Sequence, residues 1–301
     1  MKRVYTIDKP IRLYGIGHAM VDVYARLPHN VPLPSILEYG KAVHLDAHIL
    51  SSLIDEISIA CSHDDSAIFC KTSGGTTANI LKMSTSLGAE CVFSGTTGSG
   101  NENKRDKDAF FFQKECAHAG VKAYLLSQQG STGRCLAVYE HNAVLKSVAA
   151  SPAVARSVTT EQIREKEIIN ADCIVVEGMI FFNESASDYI ISLCKKHSKI
   201  VCVDLASAFC AAHATNCLCN TVTQRHIPAN NILIFANEQE YENIQCNAQD
   251  AVEYLLNAGT ILIEKRAEKG AGLYIKKEIF NETIQAQPVV DDTGAGDAFA
   301  A

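Results

Sequence analysis

Residues Glu161–Val203 read EQIREKEIINADCIVVEGMIFFNESASDYIISLCKKHSKIVCV, and this stretch decides the fold. Apolar residues recur at helical spacing over Glu161–Ile169, then crowd together in Cys173–Val176. The same change of period follows at once, with a helical pattern over Ser185–Lys196 and a strand pattern over Ile200–Val203. A strand with apolar residues at successive positions has no solvent face, so helices must cover both of its sides. Two strand–helix units in series imply a largely parallel sheet, because parallel neighbours need a crossover between them.

The alternation extends in both directions. Downstream come a strand at Ile232–Phe235, a helix at Gln249–Asn257 and a strand at Thr260–Ile263. Upstream, strands are predicted at Ile11–Gly17, Met20–Leu27, Glu90–Ser94 and Lys122–Leu126. The helices between them are Asp46–Ile59, with Leu50, Leu53, Ile54 and Ile57 on one face, then Ala78–Leu87 and Asp106–Ala119. Cys135–Glu140 and Val144–Val148 read as a hairpin turning at His141-Asn142. This hairpin and the strand at Met20–Leu27 do not fit a parallel layer, and they predict a small β element acting as a lid.

Composition narrows the function classes. The chain of 301 residues is 47% hydrophobic and 20% charged, which excludes collagen-like, coiled-coil and disordered chains. Its net charge of −7 is spread without long blocks and disfavours nucleic acid or an anionic membrane as partner. Met1–Asp8 contains Lys2 and Arg3 but no apolar core of a signal peptide. The most apolar run, Ile174–Phe182, contains Glu177 and is too short to span a bilayer. A cytoplasmic protein is expected. The 12 cysteines, mostly within apolar stretches, are expected to be reduced core fillers. Cys210, His213, Cys217 and Cys219, with His226 beyond, match no metal-ligand spacing.

The strongest motif is Val289-Val290-Asp291-Asp292-Thr293-Gly294-Ala295-Gly296-Asp297-Ala298-Phe299. A Gly-Ala-Gly turn opening a helix aims backbone N–H groups at one point and suits an anion. Asp297 beside such an anion hole would repel phosphate, unless it serves as a general base toward an attacking hydroxyl. It reads equally well as an acidic residue favourable to the helix dipole. In Thr72-Ser73-Gly74-Gly75-Thr76-Thr77-Ala78-Asn79, the paired glycines permit close approach of a ligand and Asn79 can bond a hydroxyl, although a plain turn accounts for them too. Asn237 and Glu240 have the spacing of a capping box; alternatively, Glu240 would organise hydrated Mg²⁺. Gly95-Thr96-Thr97-Gly98-Ser99-Gly100-Asn101 lacks the lysine of a P-loop. Gly15-Ile16-Gly17-His18-Ala19-Met20 has Met20 where a dinucleotide fingerprint needs a small residue, which disfavours an NAD-dependent oxidoreductase.

In order and spacing, Gly74-Gly75 with Asn79, Asn237 with Glu240, and Thr293 to Asp297 resemble the ribokinase (PfkB) family of sugar and nucleoside kinases. Thr132-Gly133-Arg134-Cys135, Glu177-Gly178, Ala208-Phe209-Cys210 with His213, and Phe235-Ala236-Asn237-Glu238 look like its adenosine-kinase-like branch. The resemblance implies one ribokinase-like α/β domain over residues 1–301, a central mostly parallel sheet flanked by helices. Lid segments at about 18–45 and 122–150 are expected. It implies transfer of the γ-phosphoryl group of ATP, with Mg²⁺, to a hydroxymethyl group of an adenosine-like or ribose/fructose-like acceptor. Asp297 would be the base, and Gly294, Ala295 and Gly296 the anion hole. Asp22, Gly74, Gly75 and Asn79 would bind the acceptor. Asn237, Glu240, Lys265, Gly270 and Thr293 would bind the nucleotide, with Glu240 reaching Mg²⁺ through water. Two copies could pair through the lid. The alternative is an inactive homologue that binds nucleoside or sugar.

Three departures from the family pattern stand out. Ser99-Gly100-Asn101 follow Gly95–Gly98 where an acidic residue is usual, and Ala267 replaces a glycine near the nucleotide phosphates. Four residues follow Asp297, where the family carries a further helix lining the base pocket of ATP.

Overall fold

The computed structural model describes residues 9–29, 31–64, 66–100, 104–139, 145–225, 228–285 and 294–301. In chain order the elements are β1 (Arg12–Ile16), β2 (Met20–Arg26), β3 (Ala42–His44), α1 (Ala47–Cys61), β4 (Ile68–Gly74), α2 (Thr76–Ser86), β5 (Glu90–Ser99), α3 (Lys107–His118), β6 (Lys122–Gln129), β7 (Gly133–Tyr139) and β8 (Leu145–Ser151). There follow α4 (Glu165–Asn170), β9 (Cys173–Glu177), α5 (Glu184–Lys196), β10 (Ile200–Asp204), α6 (Ala208–Arg225), β11 (Ile232–Asn237), α7 (Glu238–Asn247), α8 (Gln249–Ala258), β12 (Ile261–Lys265), β13 (Ala271–Ile275), β14 (Glu278–Glu282) and α9 (Ala295–Ala300).

The large sheet runs β14-β13-β12-β11-β10-β9-β1-β5-β6. From β12 to β6 every pairing is parallel, and β13 and β14 close one edge antiparallel. The side-chain alternation of the strands explains the two-sided covering. Ile174 and Val176 of β9 join Val201, Val203, Ile232 and Ile234 beneath α5, α6 and α8. Val175, between them in sequence, faces the other way and packs with Phe93, Ile80 and Phe112 beneath α2 and α3. The order reverses at β1, which is flanked by β5 on one side and β9 on the other. Ligands of open α/β sheets bind outside the carboxyl ends of strands at such a switch point.

The small sheet runs β3-β8-β7-β2-β4. One of its faces carries Val23, Ala25, Leu136, Val138 and Ala149, and α1 covers it with Leu50, Leu53, Ile54 and Ile57. The helical face read from the sequence is therefore the face that packs. The hairpin expected around 135–148 is the antiparallel pair β7–β8, with His141 and Asn142 outside the described residues.

Several expectations need correction. Lys122–Gln129 belongs to the large sheet, not to the lid segment expected at 122–150, because α3 returns the chain parallel to β5. Ile68–Gly74, outside both expected lid segments, is the antiparallel partner of β2. β5 continues through Ser99, so Gly95 and Gly98 of the P-loop-like stretch lie within a strand, where Gly95 packs on the Gly17 carbonyl. The chain after Gly15-Ile16-Gly17 enters β2, so no helix N-terminus follows as a dinucleotide fold requires. The cysteine- and histidine-bearing segment 208–225 is one helix, α6. Among the described residues no helix is long and apolar enough to cross a membrane.

Leu50 is fully buried between α1 and the small sheet, whereas Ile59 on the same helix is 63% exposed. Leu50→Ala is expected to lower stability by about 2–5 kcal/mol and Ile59→Ala by no more than about 0.5 kcal/mol. Urea denaturation of both variants checks the assignment, and equal effects contradict it.

Candidate active site

The carboxyl ends of the parallel strands collect charged residues on one edge of the sheet. β9 ends at Glu177, β10 at Asp204, β11 at Asn237 and β12 at Lys265. Each follows an apolar run whose alternate side chains are fixed in the core, so the last residue is delivered to the edge with little freedom.

Glu177 is buried, and its carboxylate organises the beginning of the site. Oε1 accepts from the backbone N–H of His18 at 3.0 Å and lies 3.3 Å from His18 Nδ1. Oε2 accepts from the Thr77 N–H at 3.2 Å and from Thr77 Oγ1 at 3.1 Å. Gly17 and Gly75 are required here. A Cβ on Gly17 would strike Thr77 and Glu177, and one on Gly75, at φ +91°, would strike the His18 carbonyl. Gly74 is equally constrained, because a Cβ there would fall on the Asp22 carboxyl group. Burial pushes the Asp22 carboxyl up to about 6, opposed by the charge of Lys82 and a hydrogen bond with Tyr24.

Asn79 lies on the first turn of α2, and its Nδ2 donates to Asp297 Oδ2 at 2.9 Å across 218 residues of sequence. The bond joins two of the sequence motifs directly. Burial pushes Asp297 up to about 6. Its bond from Asn79 and the charge of Lys265 oppose the rise, while Asp204 and Glu177 add to it. Gly294 caps α9 in the left-handed region at φ +77°. The hydrogen-bond ladder of α9 begins with Ala298 N–H to Gly294 O, so the N–H groups of Ala295 and Gly296 precede it. Lys265 Nζ donates to Asp204 Oδ2 at 2.7 Å and lies 3.5 Å from the Gly296 carbonyl oxygen.

Asn237 and Glu240 form the complete capping box of α7. Glu240 N–H donates to Asn237 Oδ1 at 2.9 Å, and Glu240 Oε2 accepts from Asn237 N–H at 2.8 Å. Glu240 Oε1 also accepts from Asn237 Nδ2 at 3.0 Å. Burial pushes Glu240 up to about 7, and the charges of Asp204 and Asp297 act in the same direction. A divalent cation nearby favours the ionised form. With both carboxylate oxygens engaged, these residues fit a cation held through water rather than by direct ligation. Among the described residues no group of three or more metal-ligating side chains could hold one directly.

Gly270, at φ +95°, shapes the turn into β13, where a Cβ would strike the Glu282 carbonyl. Ala267, in the same turn, sits at φ +47°, a region that a glycine occupies without strain. Thr293 lies outside the described residues. The sequence reading missed Glu177, Asp204, Thr77, His18 and Lys82 as site residues. For Glu177 and Asp204 the available signal was a carboxylate ending an apolar strand.

Beside the hinge between β1 and β2 opens a cleft of about 1400 Å³, with His18, His44, Ser131, Arg156, Phe182 and Phe209 on its walls. Phe182 stacks on His213 at 4.4 Å and on Phe209 at 5.6 Å. Phe209 remains 68% exposed, with the His44 ring 5.9 Å from its own.

Residues 52–301 match the family described as pfkB family carbohydrate kinase, and the chain belongs to that family. No curated protein matches the sequence. An adenosine kinase structure from Sinorhizobium meliloti is similar with a TM-score of 0.78 at 18% identity, covering 97% of this chain and 86% of that one. A probable sugar kinase from Rhizobium etli also gives 0.78 at 18% identity, over 96% of this chain and 84% of its own. Adenosine kinase from Schistosoma mansoni in complex with 2-fluoroadenosine gives 0.72 at 15% identity, over 96% and 86%. At these identities the likeness establishes the fold, which is ribokinase-like.

Glu177→Gln places an amide where two backbone N–H donors converge. The loss is expected to be about 2–3 kcal/mol, a fall in Tm of roughly 3–5 °C. Differential scanning calorimetry measures it, and an unchanged Tm removes Glu177 from its organising role.

Proposed function

We propose that this pfkB-family member is a cytoplasmic kinase that transfers the γ-phosphoryl group of ATP to a hydroxymethyl group of a nucleoside. The Asn79–Asp297 hydrogen bond carries the reading, because it sets a carboxylate held near pKa 6 beside the start of α9. A carboxylate there is ionised at neutral pH and still basic enough to take a proton from a hydroxyl as the hydroxyl attacks.

Asp297 receives the acceptor proton at Oδ1, the oxygen not bonded to Asn79. The backbone N–H groups of Gly294, Ala295 and Gly296 donate toward the charge that develops on the moving phosphoryl group. Lys265, anchored by Asp204, adds positive charge on the same side. Asp22, packed on Gly74, accepts hydrogen bonds from acceptor hydroxyls and orients them. The Asn237–Glu240 cap would hold hydrated Mg²⁺, which would screen the phosphates of ATP. The small sheet closes over the acceptor and keeps water from competing for the phosphoryl group.

The Phe182–Phe209–His213 stack favours a nucleoside over a free sugar, since a purine or pyrimidine has a π face to lay against Phe209. The similarity to adenosine kinase structures supports that choice.

Turnover is tested by ADP release from Mg·ATP with adenosine, other nucleosides, ribose and fructose. Asp297→Asn is expected to lower kcat by about a hundredfold or more while leaving ATP binding intact. An acceptor bound without any ADP release identifies the inactive-homologue alternative. Activity falls as pH drops through about 6, where Asp297 takes up its proton. Phe209→Ala is expected to raise KM for a nucleoside by about tenfold. An unchanged nucleoside KM argues for a sugar acceptor.

A further inference from the structure

Lys82 takes no part in the chemistry above, yet it holds the turn against which the Asp22 carboxyl group packs. It lies three residues after Asn79 on α2, so the two side chains share one face of the helix. Its ammonium donates to the backbone carbonyl of Ser73 and, at 3.1 Å, to Ser73 Oγ. Ser73 is fully buried at the end of β4, immediately before Gly74 and Gly75. In the β2–β4 register Ser73 faces Val21 and Gly74 faces Met20, so this turn forms the floor under Asp22.

The hydrogen bonds of Lys82 go to a carbonyl and a hydroxyl, neither of which cancels its charge. Burial alone lowers the pKa of Lys82, and Cys116, Asp22, Glu115 and Asp297 raise it. An ammonium drawn out of water for the sake of one turn is a costly tether, and a neutral donor would hold Ser73 as well. Its charge has a use only toward the anionic groups around it. These are Asp22 on β2, Asp297 on α9 and Glu115 on α3, while the Cys116 thiol beside them, pushed up to about 12 by burial, is neutral. Asp22 in turn meets Tyr24 on its own strand and the Cys135 thiol of β7.

We propose that Lys82 is a positioning residue for the acceptor side of the site, holding the Ser73–Gly75 turn while its charge acts on Asp22, which packs on that turn. The proposal rests on the kinase reading above. It adds that the ionisation of the acceptor-binding carboxylate is set by a cation on the helix that also carries Asn79. The positive charge is the essential feature. The hydrogen bond to Ser73 alone is not.

The test compares wild type, Lys82→Gln, which keeps a donor for Ser73 but loses the charge, and Lys82→Arg, which keeps the charge. In Lys82→Gln the Asp22 carboxyl group takes up a proton more readily. The acid limb of kcat/KM for the acceptor is expected to move up by about one pH unit. That makes the variant roughly fivefold slower than wild type at pH 6 and less than about twofold slower at pH 8. Lys82→Arg is expected to keep the wild-type limb. A wild-type limb in Lys82→Gln would falsify the charge role and leave only a tether.

A second measurement does not depend on turnover. A carboxyl group whose pKa is higher in the folded than in the unfolded chain takes stability away as pH rises through that interval, and raising it further enlarges the loss. The Tm of Lys82→Gln, relative to wild type, is therefore expected to be about 2 °C lower at pH 8 than at pH 5. A tether alone gives a difference that does not change with pH, and that result overturns the proposal. If wild type phosphorylates no acceptor while the pH-dependent Tm difference appears, the kinase reading fails and the electrostatic coupling of Lys82 stands.

Discussion

A carboxylate buried among backbone donors fixes the geometry of this molecule. Glu177 ends a strand at the centre of the large sheet, and both of its oxygens are claimed by groups from elsewhere in the chain. His18 begins the passage from the large sheet into the small one, and Thr77 opens the helix that carries Asn79. An ion in this position is tolerable only when its acceptor capacity is filled. Its demand for partners therefore draws the hinge and the helix start together. The glycines at 17 and 75 follow from that closeness, because no side chain fits between the carboxylate, the Thr77 side chain and the His18 carbonyl.

The same edge of the sheet gathers like charges, which sets the chemistry. Asp204, Glu177 and Asp297 each make it harder to ionise another, and burial strengthens the effect. Lys265 answers it on the β12 side through Asp204. An anionic substrate entering such a site needs donors that carry no mobile countercharge. The backbone N–H groups ahead of the α9 ladder are donors of that kind. The arrangement also explains the capping box of α7. A glutamate that would otherwise add a free negative charge has both oxygens tied to Asn237.

The parallel core was legible in the sequence because its strands are buried on both faces and need no knowledge of their partners. A strand ahead of Thr72 could be read but not bounded, since Ile68-Phe69-Cys70-Lys71-Thr72-Ser73 lies at the edge of the small sheet with Ile68 and Cys70 exposed. β13 and β14 escaped for a related reason, because Gly272 and the wholly exposed Glu278–Glu282 carry no apolar alternation. α6 was hidden by its cysteines, threonines and asparagine, although Ala211, Ala214, Leu218 and Val222 form its buried stripe. At the site, Asn79, Asn237, Glu240 and Asp297 could be found because glycine turns and cap spacing mark them locally. Glu177, Asp204 and Lys82 act through partners as far as 159 residues away, which no local pattern encodes.

α9 shows how the two ends of the chain come to share one site. Six residues cannot hold a helix by their own hydrogen bonds. What holds this one is docking. Ala300 and Ala301 pack against the core under α2, Ser84 Oγ reaches the Ala301 carbonyl at 3.4 Å, and Asn79 binds Asp297. Asn79, Lys82 and Ser84 thus belong to the helix that fixes the carboxylate of α9 in place. Because Gly74 and Gly75 lead into that same helix, the floor under Asp22 and the seat of Asp297 move as one body.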